Sequence, residues 1–331
     1  MKHVFVINSH TTFLTAMGAV DYLGLEAEDI ILIYVRNYKN KIAHVPYCIV
    51  EGTDVANVCR NIGEDYKGTI RKVDEFIAHN IKGFYYLYVP HLWHYFFQLL
   101  YTNRKCMRVS YIQEGGPAQT GVYENDVSLI ERIKSFIRHA ILGRRIFECK
   151  WYKRGTLYKQ FSLDSYAIND VYFHCLPSHN HIVKWPAVKL DVTLNVQRPI
   201  FIFDGHIANG LTEPDVYLAL CKRIIFQYGT KKNYVKFHPA QCSEERTAIL
   251  NYFMENGKAV EEMSDDIPME SIISQCRGLT FVGFTSSLLY FAHDYGHKVV
   301  CHERELLEAS EAYRKRVRTT GIQLYSEMYE S

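Results

Sequence analysis

The fold is decided by three short pieces of sequence between Lys236 and Val300: Lys236-Phe237-His238-Pro239, Ile267-Pro268-Met269-Glu270 and Gly283-Phe284-Thr285-Ser286-Ser287. The first and third follow apolar, strand-like runs, and a helical pattern comes after each piece. This alternation predicts parallel strands with crossover helices, whose carboxyl ends meet at the edge where α/β folds bind ligands. An imidazole, a carboxylate and paired hydroxyl groups at that edge predict a site for a nucleotide.

The same alternation extends over the whole chain. It predicts strands at 4–7, 30–35, 84–89, 108–112, 199–203, 234–237, 279–283 and 298–301. It predicts helices at 12–22, 73–79, 92–102, 214–228, 244–255, 269–276 and 287–295, and a last amphipathic helix at 306–329. The predicted fold class is therefore α/β, with two doubly wound, Rossmann-like domains facing a cleft. The first domain is predicted at 1–185 and the second at 186–331, with a linker near 180–198.

Composition narrows the class of protein. A chain of 331 residues suits two domains of about 150 residues each. A net charge of +2 gives no overall field that would attract nucleic acid or a membrane. The nine cysteines contain no Cys-x-x-Cys pair and predict reduced thiols rather than disulfides or a zinc site. No signal segment and no apolar run of about eighteen residues is visible, which favours a cytoplasmic location.

His238 stands directly after a predicted strand, and Pro239 stops strand pairing and fixes the turn. The imidazole is thereby held at the sheet edge, where it can donate a hydrogen bond to a phosphate or, when protonated, neutralise a leaving phosphate. Lys236 and Pro239 belong to the same predicted nucleotide-binding motif. The alternative for His238 is a local cap on the strand end.

Ser286 and Ser287 open a predicted helix, where backbone N–H groups and the helix dipole attract anions. Their hydroxyl groups add donors for a phosphate, although a single serine is also an ordinary N-cap. Glu270 lies in the first turn of the helix that Pro268 begins. Its carboxylate either complements the helix dipole or accepts both hydroxyl groups of a ribose 2′,3′-diol.

The first half carries a motif of its own, Gln113-Glu114-Gly115-Gly116, at the end of a predicted strand. The glycines permit a tight turn and a close approach to the backbone. Glu114 is therefore a candidate general base for a sugar hydroxyl, and the alternative is a surface carboxylate beside a turn. Gln113 and Gly115 are candidates for the same acceptor site.

In each predicted domain, one polar loop follows the first strand. Ser9 and His10 stand in the earlier loop and are candidates for the acceptor site. Asp204, Gly205 and His206 stand in the later one and are candidates for contact with the donor phosphate. Turn chemistry is the alternative explanation for both loops.

A basic cluster covers 128–159. Its cationic residues are Arg132, Lys134, Arg138, Arg144, Arg145, Lys150, Lys153, Arg154 and Lys159, opposed only by Glu131 and Glu148. Residues 128–142 also have the apolar spacing of an amphipathic helix. The region is a candidate for peripheral contact with the inner face of a membrane or for binding an acidic acceptor. The alternative is a solvated helix packed on its own domain.

Taken together, the motifs resemble those of the bacterial sialyltransferases of the two-domain GT-B type. That family carries an acid before a glycine, a His-Pro and a paired serine; Gln113-Glu114-Gly115, His238-Pro239 and Ser286-Ser287 match them in order. The piece Ile267-Pro268-Met269-Glu270 is similar to a fourth family element, which binds the nucleotide ribose or base. The resemblance covers the second domain from about 199 to 302, and the first domain only around 107–117.

The resemblance implies an inverting transfer of sialic acid from CMP-sialic acid to a sugar hydroxyl of a surface glycan, such as lipooligosaccharide or capsule. Glu114 would deprotonate the acceptor, His238 would stabilise or protonate the departing phosphate, Ser286 and Ser287 would bind it, and Glu270 would hold the ribose. Many family members have two acids before the glycine; here Glu114 alone stands there. The family uses no obligatory metal or other cofactor, which agrees with the missing Asp-x-Asp motif.

The partners implied are a CMP-sugar donor and a glycan acceptor, lipid-linked acceptors included, with a homodimer left open. Other functions stay open as well. CDP-glycerol glycerophosphotransferases also resemble the second half, and transfer of another CMP-activated acid sugar is closer still. A nucleotide-sugar epimerase or binding protein on the same fold would not use Glu114 to activate an acceptor. A structural partner that assembles through 128–142 would bind no nucleotide.

Overall fold

A computed structural model describes residues 1–40, 45–115, 129–144, 163–173, 179–188, 193–265, 268–320 and 324–329. The chain separates into two compact units, Met1–Pro186 and Ala187–Ser331. The division predicted from the sequence lay between 185 and 186. Each unit is an open, parallel, doubly wound sheet, so the predicted α/β class with two Rossmann-like units is confirmed.

The first unit contains a seven-stranded sheet. Its strands are β1 (Lys2–Ile7), β2 (Ile30–Tyr34), β3 (Cys48–Glu51), β4 (Tyr85–Val89), β5 (Cys106–Ile112), β6 (Asp164–Ala167) and β7 (His179–Ile182). They lie in the order β3-β2-β1-β4-β5-β6-β7, and every neighbouring pair is parallel. Because the chain moves outward in both directions from β1, the carboxyl ends of β1 and β4 form the topological switch point of this sheet.

The helices of the first unit lie between its strands in sequence. They are α1 (His10–Leu23), α2 (Thr53–Val58), α3 (Tyr66–Asn80), α4 (Tyr95–Thr102) and α5 (Leu129–Leu142). The first of them begins with a capping box, in which the Ser9 hydroxyl accepts from the Thr12 N–H and the Thr12 hydroxyl accepts from the Ser9 N–H. This cap fixes how the chain leaves β1 and enters α1.

The second unit contains a five-stranded parallel sheet. Its strands are β8 (Ile200–Phe203), β9 (Lys232–Phe237), β10 (Ala259–Glu262), β11 (Thr280–Gly283) and β12 (Lys298–Cys301). Their order is β10-β9-β8-β11-β12, which puts the switch point between β8 and β11. The helices are α6 (Pro214–Tyr228), α7 (Ser243–Glu255), α8 (Met269–Gln275), α9 (Ser287–Asp294), α10 (Glu303–Ala309), α11 (Glu311–Thr320) and α12 (Tyr325–Tyr329).

Large aromatic side chains form much of the core of both units. Tyr85, Tyr111, Tyr217 and Phe201 are among the largest fully buried residues. Each such ring buries about 150–250 Å², which makes them major contributors to the stability of the fold. The Tyr217 hydroxyl group accepts from the Asp204 N–H at 2.8 Å and donates to the Asp204 carbonyl at 3.1 Å. A core residue thereby fixes the loop after β8.

Four short strands were not predicted from the sequence: β3, β6, β7 and β10. Most residues of β3, β7 and β10 are exposed, so these strands lack the apolar run that marks the central ones. Because β7 occupies 179–182, the predicted linker at 180–198 is wrong at its start.

The predicted helix at 306–329 is also wrong as a single element. α10 ends at Ala309, and the Ser310 hydroxyl accepts from the Tyr313 N–H at 3.0 Å, which is an N-cap for α11. Glu213 accepts from the Ser310 hydroxyl and from the Ala312 N–H. A new helix therefore begins where the predicted helix would have continued.

Within the described ranges, none of the helices combines the length and the apolar content that crossing a membrane would require.

Candidate functional site

Four strands of the first unit end in polar residues at one edge of the sheet. Asn8 follows β1, Arg36 follows β2 after one residue, His91 follows β4 after one residue, and Glu114 follows β5 after one residue. The carboxyl ends of parallel strands meet at the same edge, and β1 and β4 flank the switch point. The four side chains make contact around Glu114.

The Glu114 carboxylate is held on one side by two donors. Its Oε1 accepts from Asn8 Nδ2 at 2.5 Å and from Arg36 Nη1 at 3.0 Å. Its Oε2 faces His91 Nε2 at 3.5 Å. Since Oε1 already receives two hydrogen bonds, Oε2 is the oxygen whose lone pairs are better placed to take a proton.

Burial raises the pKa of the Glu114 carboxyl group above its ordinary value, against the opposing effects of Arg36 and of the hydrogen bond from Asn8. The side chain remains 18% exposed, so a substrate can reach it. A carboxylate with a raised pKa is a better proton acceptor than an ordinary surface glutamate. The geometry therefore suits Glu114 to general base catalysis.

His91 is buried behind Glu114 and is neutral at physiological pH, because burial lowers its pKa to about 3, helped by the nearby Arg36 charge. Its Nδ1 accepts from the Trp93 N–H at 3.2 Å. A backbone N–H can only donate, so the neutral ring carries its proton on Nε2, the atom that faces Glu114. His91 thus presents an N–H to the carboxylate without adding a charge.

Arg36 reaches Glu114 from a strained backbone. Arg36 and Asn37 have φ values of 57° and 55°, in the left-handed region that residues other than glycine rarely adopt. The Asn37 N–H donates to the Thr53 hydroxyl at 3.0 Å, which helps to hold this conformation. Strain of this kind often accompanies function. Here it turns a cationic side chain, 46% exposed, toward the candidate base.

The other predicted residues of the first unit make structural contacts, and their part in an acceptor site stays a prediction. Ser9 is the N-cap of α1, and His10 Nδ1 lies 3.2 Å from the Tyr38 hydroxyl. Gln113 is buried, and its Oε1 accepts from the Ile168 N–H at 3.0 Å while its Nε2 donates to the Gly115 carbonyl at 3.3 Å. These contacts hold the loop that presents Glu114. Gly116, which completes the predicted Gly-Gly turn, lies outside the described residues.

The low pKa of His91 predicts a dependence of stability on pH. Its pKa of about 3 in the folded protein lies below the ordinary 6.5, so protons bind the unfolded chain more tightly. The contribution of His91 to stability is therefore complete above pH 6.5 and is lost as pH falls toward 3, by up to about 1.4 kcal/mol per pH unit. We expect His91→Asn, whose Oδ1 can still accept from Trp93, to flatten this slope in urea unfolding followed from pH 7 to pH 4.

Two groups that lie close to His91, His94 and Glu114, also have shifted pKa values. Burial lowers the pKa of His94 to about 4, which acts in the same direction, whereas the raised pKa of Glu114 gives stability at low pH that is lost as pH rises. The difference between wild type and His91→Asn isolates the His91 contribution. His79→Asn, at an exposed position, is the matched control and should leave the slope unchanged. Equal slopes in wild type and His91→Asn would contradict a neutral, buried His91.

In the second unit, His238 directly follows β9 at the carboxyl edge of the sheet. The backbone N–H of His238 donates to the Phe203 carbonyl at 3.0 Å and to Gln241 Oε1 at 2.8 Å. Its ring Nδ1 accepts from the Ala240 N–H at 3.1 Å, so the neutral ring has its proton on Nε2. This Nε2–H is at the far end of the ring from Nδ1 and is the group that can donate to a phosphate.

The loop after β8 packs against this ring. A Cβ atom at Gly205 would lie 2.8 Å from His238 Nδ1, so the absence of a side chain at Gly205 permits the contact. Burial, with the charges of His206 and Arg246, lowers the pKa of His238, while Asp204 and Asp265 oppose the shift. His238 is still exposed as a residue. At neutral pH it is therefore an uncharged, accessible hydrogen-bond donor.

Side chains from two loops join the ends of β8 and β11. Asp204 Oδ2 accepts from the Thr285 N–H at 3.1 Å, and His206 Nε2 lies 2.7 Å from Thr285 Oγ1. His206 is buried, with its ring against those of Tyr217 and Tyr313. His206 therefore holds the two loops together, and its contact with a donor phosphate stays a prediction.

The paired serines lie beside this junction. Ser286 is the N-cap of α9, and its Oγ accepts from the Leu288 N–H at 3.4 Å; Ser287 is the first residue of the helix. An N-cap oxygen that accepts can still donate its own hydrogen. Both serines are partly exposed, as a phosphate site requires. Glu270 lies in the first turn of α8 and is partly exposed.

Lys236 and Pro239 flank the strand end that carries His238. Lys236 is buried on β9, and its Nζ donates to the Ser264 carbonyl at 2.7 Å and to Asp265 Oδ1 at 3.1 Å. It thereby ties β9 to the loop after β10. Pro239 is exposed in the turn that follows His238. Neither position contradicts a part in nucleotide binding, which stays a prediction.

Among the residues that the structure describes, no group of three or more His, Cys, Asp or Glu side chains is arranged to hold a metal ion.

The fold is shared with solved structures of low sequence identity. MnaA from S. aureus, in a co-structure with UDP, is 10% identical; the alignment covers 97% of this chain and 90% of that chain, with a TM-score of 0.52. The UDP-GlcNAc 2-epimerase from Neisseria meningitidis, bound to UDP-GlcNAc, is 11% identical, with 100% and 93% covered and a TM-score of 0.51. No protein-family model and no curated protein matches the chain. The likeness establishes a GT-B-like fold.

Proposed function

We propose that this chain is a sugar-nucleotide enzyme, and specifically an inverting glycosyltransferase that moves sialic acid from CMP-sialic acid to a sugar hydroxyl of a surface glycan. The observation that carries the proposal is the environment of Glu114. One carboxylate with a raised pKa stands after β5, in contact with Asn8 and His91 from the switch point, with Oε1 held by two donors and Oε2 facing a neutral imidazole. A single positioned base is what an inverting transfer to a hydroxyl group requires.

In the proposed reaction the acceptor hydroxyl oxygen attacks the anomeric carbon of the donor, and the bond from that carbon to the CMP phosphate breaks. Glu114 Oε2 takes the proton of the hydroxyl group. Positive charge develops at the anomeric carbon and negative charge on the departing phosphate, so donors placed at the phosphate favour the transition state. His238 Nε2–H and the hydroxyl groups of Ser286 and Ser287 are the proposed donors, and Glu270 is the proposed partner of the ribose.

The same donors make a resident divalent cation unnecessary in this proposal. The amino-terminal end of α9 adds the positive potential of a helix dipole beside the two serines. The proposed phosphate site therefore consists of an imidazole, two hydroxyl groups and a helix terminus. Whether the reaction proceeds in a chelator tests this part directly.

The test is an assay with CMP-sialic acid and a panel of galactosides. We expect CMP release that requires both donor and acceptor, yields an inverted glycosidic bond detectable by NMR, and continues at an undiminished rate in EDTA. Release that requires added Mg²⁺ or Mn²⁺ would contradict the metal-independent part. The chain could instead fail to use CMP-sialic acid but transfer from another CMP-activated acid sugar or from CDP-glycerol. That result would identify a different transferred group.

A nucleotide-sugar epimerase is the second candidate, because two of the solved structures of similar fold are a UDP complex and a UDP-GlcNAc 2-epimerase. A thermal-shift series with CMP, CDP, UDP and GDP separates the candidates, since a ligand that binds only the folded protein raises the melting temperature. Stabilisation by CMP supports the transferase. Stabilisation by UDP alone, with interconversion of a UDP-sugar, supports the epimerase.

A further inference from the structure

Helix α5 exposes a long apolar stripe. Its side chains are exposed by 50% to 74%, and they are Leu129, Ile130, Ile133, Phe136, Ile137 and Ile141. At 3.6 residues per turn these positions fall within one arc of about 140° on the helix surface. Single exposed apolar residues are ordinary, whereas a contiguous stripe of this size marks an interaction surface.

The helix is attached to its unit outside this arc. The Arg138 guanidinium lies 5.6 Å from the centre of the Tyr66 ring on α3. Arg144, just beyond the end of α5, is buried, donates to the Thr102 carbonyl at 2.6 Å and pairs with Asp74. These contacts fix the helix while leaving the apolar arc outward.

Cationic groups lie beside the stripe and at its Ile141 end. Lys134 on α5 is exposed, and a pocket next to Ile141 is lined by Lys67, Arg71, Arg104, Lys105 and Arg144. The acids in that pocket are Asp74, which pairs with Arg144, and Glu75, which pairs with Arg71. These described groups are six cations against two acids, so their net charge is positive.

We propose that α5 lies flat in the interface of an anionic lipid bilayer. The apolar arc enters the boundary between headgroups and acyl chains, and the flanking cations contact anionic headgroups. A second copy of this chain is a poor partner for the apolar stripe, because pairing two such faces would bring like charges together. A membrane surface supplies both the apolar layer and the opposite charge. The proposal does not depend on the proposed function.

The test is flotation of the full chain with lipid vesicles. We expect binding to phosphatidylcholine vesicles that contain phosphatidylglycerol, little binding to pure phosphatidylcholine, and weaker binding as salt rises from about 0.1 M to about 0.5 M. The double variant Ile133→Asp/Phe136→Asp places two charges in the arc at exposed positions, so the fold should be retained. We expect its affinity for the anionic vesicles to fall roughly tenfold or more.

The matched control is Phe226→Asp on α6, where an exposed phenylalanine of the other unit is changed in the same way. It should bind vesicles as wild type does. A wild-type chain that stays unbound, or a double variant that binds equally well, would overturn the proposal. So would a wild-type dimer that the double variant converts to a monomer in solution, since a second copy would then be the occupant.

Discussion

Replacing Glu114 with glutamine is expected to lower the rate of sugar transfer by about 10²–10⁴-fold, the usual contribution of a positioned general base. The glutamine has nearly the same shape, and its amide oxygen can still accept from Asn8 and Arg36 in place of Oε1. It cannot take a proton from an acceptor hydroxyl. CMP binding depends in this proposal on the second unit, so the dissociation constant for CMP should stay the same. Steady-state CMP release and calorimetric titration with CMP measure the two quantities.

The pH profile gives a second readout of the same variant. Glu114 acts as a base only when deprotonated, and burial raises its pKa, so kcat/KM of the wild type should rise with pH through that raised value. The residual activity of Glu114→Gln should lack this rise. Glu75→Gln, at a position 68% exposed on α3, is the matched control and should behave as wild type. A Glu114→Gln variant that keeps its rate within about twofold would place the base elsewhere.

The sequence predicted Glu114 but not the residues around it. A carboxylate between a strand and a glycine pair is a local pattern, visible in a few residues. Arg36 and Asn8 are 78 and 106 residues away along the chain. Asn8 directly precedes the loop predicted for the acceptor site, but neither residue was itself predicted as a partner of Glu114. They meet Glu114 because the strand order places β2, β1, β4 and β5 side by side, and that order follows from tertiary packing. The left-handed backbone at Arg36 has no signature either, since neither Arg36 nor Asn37 is a glycine.

Three of the four strands that the sequence failed to predict share a physical cause, whereas β6 is mostly buried and lies inside the sheet. Burial between two layers of helices produces the apolar runs of β1, β2 and β8, which were predicted correctly. β3, β7 and β10 are at sheet edges and are largely exposed, so no apolar run was required there. The predicted α/β class did not depend on these edges, because the central strands and the helices between them define it.

In the second unit, local patterns located the loops but not the bonds within them. Histidine before proline and serines before a helix placed His238 and Ser286 correctly at the carboxyl edge of the sheet. His206 looked equally available in sequence, yet it is buried against Tyr217 and bonded to Thr285. The difference between the two histidines arises from side chains that only the folded chain brings together.

Changing His238 to asparagine is expected to lower kcat by about 10²–10³-fold, the usual loss when a donor to developing negative charge is removed. The asparagine Oδ1 can replace ring Nδ1 as acceptor for the Ala240 N–H, so the turn after β9 should be kept. What disappears is the Nε2–H, the proposed donor to the departing phosphate. A smaller, roughly tenfold loss of CMP affinity should accompany the loss of rate, because part of the same bond already forms in the bound donor.

His238→Gln separates this role from a structural one. Its side-chain amide can place an N–H close to the former Nε2 position, so we expect it to recover part of the rate that His238→Asn loses. A residue that merely held the turn would show the opposite order, because the longer glutamine fits the Ala240 contact less well than asparagine. His179→Asn, exposed on β7, should change neither rate nor affinity. Full activity in His238→Asn would mean that the phosphate is held by Ser286, Ser287 and the α9 terminus without the imidazole.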